Sequence, residues 1–207
     1  TLISIKNYKE TIPALEAIKT KAKAEKNSPQ WIRAVLAGHF ALTTNQDDEQ
    51  AFTSINSHFS QAIKNANPTE KALLQNFYAQ YLSGQIYRYS AAKTDAFTGG
   101  STEQKIAIID SLFQQALAPK QLLANSKTAD WKALFADENS NSILIPTLYH
   151  FLAHSYLEYL TANDNSNVAK KQGAVIKELQ QLNLRNNYVE STAYLAFQEP
   201  LKNLRLE

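Results

Sequence analysis

Two histidines and a glutamate fall four residues apart in the stretch IPTLYHFLAHSYLEYL, at His150, His154 and Glu158. Residues at i and i+4 of a helix can share a metal ion, and neutral imidazole is a common zinc ligand. A zinc-protease helix also needs a glutamate directly after its first histidine as general base; that place holds Phe151. Glu158 as third ligand would stand two turns along the same helix, a strained arrangement for a tetrahedral ion. A metal-dependent enzyme using His150, His154 and Glu158 therefore stands only as an alternative. The expectation is no catalytic, cofactor-binding or metal-binding residue, and no cofactor.

The wheel of that helix argues the same way. Leu148, Leu152, Tyr156, Tyr159 and Leu160 share one broad face, with Tyr149 and Ala153 along its edge. Thr147, His150, His154 and Glu158 share the opposite arc, the polar side of an amphipathic helix. The spacing predicts surface or inter-helix histidines.

Other constellations carry less chemistry. His39 and His58 stand beside Phe40 and Phe59, and a lone histidine beside a core face is most often packed and hydrogen-bonded. Asp47, Asp48 and Glu49 cluster at a helix start, where the macrodipole already favours them, and the alternating ligands and glycine turn of a calcium loop are missing. Tyr78, Tyr81, Tyr87 and Tyr89 could stack a ligand, but their spacing suits helix packing with hydroxyls at the boundary. Gly99-Gly100-Ser101 precedes a helix without the lysine or spacing of a phosphate loop.

The elements that position these residues are helices. Five glycines and six prolines punctuate 207 residues, few for an all-β chain with its many turns. Ser28-Pro29, Asn67-Pro68 and Ala118-Pro119 each precede an apolar-periodic run; proline at the first helical position loses no hydrogen bond, and Ser or Asn before it caps the exposed amides. Asn67 to Glu70 and Ser101 to Gln104 read as capping boxes.

Helical period then places helices at about 11–26, 29–43, 48–65, 68–90 and 102–117. Shorter segments fall at about 119–124 and 129–135, a helix opens at Pro146, and 168–182 and 187–198 complete the set. Their apolar faces carry Ile12, Leu15, Ile18 and Ala22; Trp31, Val35, Leu36 and His39 or Phe40; Phe52, Ile55, Phe59 and Ile63; Leu73, Leu74, Phe77, Tyr81 and Ile86; Ile106, Ile109, Leu112, Phe113 and Leu117. Linkers at 45–48, 93–100 and 163–167 are short and polar, so sequential helices should pack as antiparallel hairpins. The expectation is an all-α chain of about nine helices, one array over 1–207 with a soft joint near 93–100. Its shape would be a tetratricopeptide-like right-handed superhelix or an α-α solenoid, without a strict repeat.

Composition excludes several classes. Hydrophobic residues at 44% and charged residues at 19% describe a globular chain, and a net charge of +2 from scattered Lys and Arg offers no basic stripe for nucleic acid. The absence of cysteine rules out disulfides, thiol catalysis and cysteine-ligated zinc. No apolar run reaches the roughly 18 residues a membrane helix needs, and TLISIKNYKE lacks a signal-peptide layout. The sequence opens at Thr1 without methionine, so a piece of a longer chain is expected, with room for a lipid anchor upstream of Thr1.

Three segments together resemble a known family. They are the Pro13–Leu36 run PALEAIKTKAKAEKNSPQWIRAVL, the run ALLQNFYAQYL from Ala72, and IPTLYHFL with its continuation, preceded by the aromatic turn DWKALF at Asp130. Their order and spacing resemble the N-terminal helical region of large bacterial alpha-2-macroglobulin-like proteins. The resemblance implies a periplasmic or outer-envelope protease inhibitor, with this chain lying before its β-domains. Its partners would be proteins: other domains of the same chain, proteases or envelope proteins. The family's thioester needs a cysteine, which this chain lacks, so no reactive residue carries over. The alternative is a free-standing helical adaptor for peptides or envelope proteins.

Overall fold

The computed structural model describes residues 8–45, 48–86, 100–131, 133–134, 145–162 and 168–186. They hold α1 (Tyr8–Ala24), α2 (Ser28–Asn45), α3 (Asp48–Lys64), α4 (Pro68–Gln85), α5 (Thr102–Leu117), α6 (Lys120–Asn125), α7 (Leu148–Ala162) and α8 (Val168–Asn186), with a 3-10 turn at Thr128–Trp131. No strand occurs among the described residues, only an isolated bridge between Lys127 and Thr147. The chain is all-α. Of the expected segment at 129–135, the described part holds a 3-10 turn ending at Trp131 instead of an α-helix, and the expected helix at 187–198 lies outside the described residues.

The chain separates into two compact units, one of residues 1–116 with 131–136, the other of 117–130 with 137–207. In the first, α1 packs on α2, α2 on α3, and α3 on α4. Ile32, Val35, Phe52, Ile55, Phe59, Leu73, Leu74 and Leu82 are buried among these helices. Gln75 of α4 donates to Gln115 of α5 at 2.8 Å. On α5 the buried positions are Lys105, Ile109, Asp110, Phe113 and Ala116, so the buried face is turned from the expected one, leaving Ile106, Leu112 and Leu117 half-exposed. On α2 the choice between neighbours falls to His39, for Phe40 is 59% exposed.

Local signals explain the joints. The α1–α2 turn is a Schellman closure: Asn27 N–H donates to Ala22 C=O at 2.8 Å and Lys26 N–H to Lys23 C=O at 3.1 Å, with Lys26 left-handed at φ 53°. Helices end this way because the left-handed residue turns the orphan carbonyls onto new donors. Asn27 then starts α2, its Oδ1 accepting from Gln30 N–H at 3.1 Å. The cap is thus Asn27, one residue before the expected Ser28. Asn67 and Glu70 form the expected capping box with Pro68 in the first turn, and Ser101 and Gln104 form the second. Pro119 stands at the cap position of α6 with no side-chain cap, and Pro13 lies inside α1, where it removes one helical hydrogen bond.

Lys26 carries a Cβ in a conformation that suits glycine. Lys26→Gly is expected to raise the unfolding free energy by about 1 kcal/mol, read as a higher urea midpoint at unchanged slope. A lower midpoint would show that the lysine side chain contributes more than its backbone costs.

In the second unit α7 packs on α6 and α8. Ser126 C=O accepts from Leu148 N–H at 2.9 Å, and Pro146 C=O from Thr128 N–H at 3.2 Å. This short pairing satisfies orphan groups at the α7 N-terminus and fixes where the helix starts. The α8 seam is Gln172, Val175, Leu179 and Leu182, spaced by helical period.

Candidate functional site

The histidine helix differs from the expected amphipathic one. His150 is 1% exposed, and Leu157 and Ser155 are buried as well; among its central residues only Glu158 is fully exposed, with Phe151 and His154 half-buried. A helix apolar on nearly all sides is a buried helix. The polar arc fails because His150 finds a partner inside: its Nδ1 lies 2.7 Å from the Thr147 hydroxyl, at the position just before the helix. A buried imidazole with a hydrogen bond is tolerated where a bare one is not.

His154 is held well below the ordinary histidine range, at about 4, first by burial and second by His150. It is neutral at pH 7. Glu158 stands apart in solvent, and no group of three or more His, Asp or Glu side chains with metal-holding geometry occurs among the described residues. The three residues singled out by spacing are not brought together.

Tyr149, on the same helix, is 1% exposed. Its hydroxyl donates to Glu178 Oε2 of α8, and Lys120 Nζ of α6 lies 3.3 Å from that same oxygen and 5.7 Å from the Tyr149 ring centre. Burial, then the Glu178 hydrogen bond and charge, push the phenol far up, so it stays a donor at any physiological pH.

The first unit holds a more open feature. α1, α2 and α3 enclose a groove whose two adjoining clefts measure about 560 and 220 Å³. The apolar floor includes Trp31, Val35 and Leu42 of α2; Glu16, Lys19 and Thr20 of α1 and Gln61 of α3 form polar walls. His58 lines both clefts. Its Nε2–H donates to Val35 C=O at 2.9 Å, and its ring lies where a side chain on Gly38 would be, Cε1 standing 2.9 Å from an added Cβ. Glycine in mid-helix lowers helix stability; here it admits the imidazole. Glu16 and Lys19 pair at 2.5 Å, so the walls are polar and nearly neutral.

No family model, curated protein or solved structure matches this chain.

The sites therefore stand on their own geometry. Spacing missed the groove because its walls come from three helices; Gly38 inside α2 was its only signal, since a glycine in a helical run marks a close approach. Of the tyrosine group, Tyr78 donates to Asn56 Oδ1 at 3.0 Å and Tyr81 stacks with Phe52 and Phe59. Tyr87, Tyr89, Asp47 and the side chains of Asp48 and Glu49 lie outside the described residues, as do 93–99 of the expected joint.

Proposed function

We propose that this chain is a non-catalytic helical scaffold and interaction domain at the N-terminal side of a large bacterial alpha-2-macroglobulin-like protease inhibitor. Its helices would continue there as a tetratricopeptide-like array in the periplasm or outer envelope. The observation that carries this reading is the placement of the run Pro146 to Ala153. It comprises the approach to α7, Pro146 and Thr147, and the first six residues of that buried helix, on which α6 and α8 pack. This run carries most of the resemblance, and its burial supports reading it as a structural motif and not a reactive one.

The test is the intact mass of the native protein from its source cells. A mass many times 23.2 kDa, with protease inhibition by the whole chain, is the expected result; a mass close to 23.2 kDa would reject it. The groove over α2 favours a second reading, a peptide-binding adaptor, because helical arrays use such concave faces for protein partners. That reading gains if the native chain is short.

A further inference from the structure

His39 sits where α2, α3 and α4 meet, and His58 where α1, α2 and α3 meet. The His39 ring lies 4.8 Å from Tyr81, edge-on, and 5.4 and 5.5 Å from Phe40 and Phe59. Its Nδ1 is buried with no hydrogen-bond partner. His58 is fixed from α3 onto the Val35 carbonyl of α2, and since a carbonyl only accepts, Nε2 carries the proton. Each element facing the pair can be named. From α1, Lys19 and Glu16 act on His58, but they are paired with each other. Between α2 and α3 the charge of His58 acts on His39, and from α4 Tyr81 presents a neutral ring.

We propose that this pair is an acid-sensitive latch: neutral imidazoles hold α3 against α2 and α4, and protonation releases α3 and with it the groove of α1, α2 and α3. The latch stands on the pair's geometry; only its consequence for a partner rests on the groove reading. A proton on His39 places a charge in an aromatic pocket where Nδ1 has no hydrogen-bond partner. Attraction to the ring faces offsets part of that. A second proton on His58 meets a like charge.

Burial, then the charge of His58, lowers His39 from 6.5 to about 4. Burial also lowers His58, against the pull of its Val35 hydrogen bond. Both folded values are depressed, so the opened state takes up protons first. The stabilisation is present above the unfolded value of 6.5 and is lost as pH falls from there through about 4.

The experiment is an NMR titration of the histidine ring protons, with hydrogen exchange of the α3 amides at pH 7 and 4.5. His39 is expected to stay neutral at pH 5.5, where an ordinary histidine is about nine-tenths protonated. After correction for intrinsic exchange, α3 protection should fall at least about tenfold between the two pH values. His39→Phe keeps an aromatic ring and removes the titration, so its protection should change at least about threefold less. His39 titrating at 6.5 or above in a folded protein would overturn the proposal. So would α3 protection that is flat with pH, or that falls equally in His39→Phe. If that variant does not fold, the wild-type titration decides alone. None of these readouts needs a bound partner, so failure of the latch and failure of the groove reading are separable.

Discussion

Glu70→Ala is expected to lower the unfolding free energy of the first unit by about 3 kcal/mol. Glu70 is 2% exposed and its carboxylate has three donors. Oε2 accepts from Lys23 Nζ at 2.5 Å and from Asn67 N–H at 2.8 Å, and Oε1 from Ser28 Oγ at 2.8 Å. One side chain thus completes the α4 capping box and ties α4 to the α1–α2 turn. Truncation leaves the Asn67 N–H of the capping box and the Ser28 hydroxyl without their charged acceptor, about 1.5 kcal/mol each.

Lys23 adds less, because its side chain is 36% exposed and keeps its place 3.7 Å from the Trp31 ring centre. Glu70→Gln retains the shape and one acceptor and should cost about half as much. Both tryptophans, Trp31 and Trp131, belong to this unit, so urea unfolding followed by their fluorescence reports it. A loss under about 1 kcal/mol for Glu70→Ala would mean that the helices meet without this carboxylate.

Tyr149→Ala should cost the second unit about 4 kcal/mol, and Tyr149→Phe only about 1. The ring is a buried core body, and its removal leaves a cavity that the surrounding helices fill only in part. The hydroxyl adds one hydrogen bond to a charged acceptor, Glu178, which is half-exposed and shared with Lys120; solvent screening limits its worth. Hydrogen exchange of the α7 amides measures both variants. Equal losses would place the stabilisation in the hydroxyl network, and a Tyr149→Ala loss within about 1 kcal/mol would show that α7 does not depend on this ring.

Glu70 shows how far the sequence reaches. Its capping box is legible because Asn67 and Glu70 interact within one turn, and the spacing alone specifies the bond. Its links to Lys23 and Ser28 join residues 47 and 42 positions away, and no local pattern encodes them. Lys26 shows a related limit: Ser28-Pro29 marks the start of α2, but a lysine gives no sign of a left-handed backbone. His150 failed for the opposite reason. Its wheel position lies opposite the Leu148 face, and the polarity of histidine by itself points that arc to solvent. Thr147, one helical turn earlier, satisfies that imidazole inside, so polarity did not mean exposure.

The sequence by itself determined that this chain is helical and where most helices start, because periodicity, prolines and caps act within a few residues. Tertiary structure alone decided which polar side chains lie inside, that His39 and not Phe40 turns inward, and that Gly38 makes room for His58. Those outcomes depend on neighbours brought from distant positions, and burial of a polar group is tolerated only where such a neighbour supplies its partner or its space.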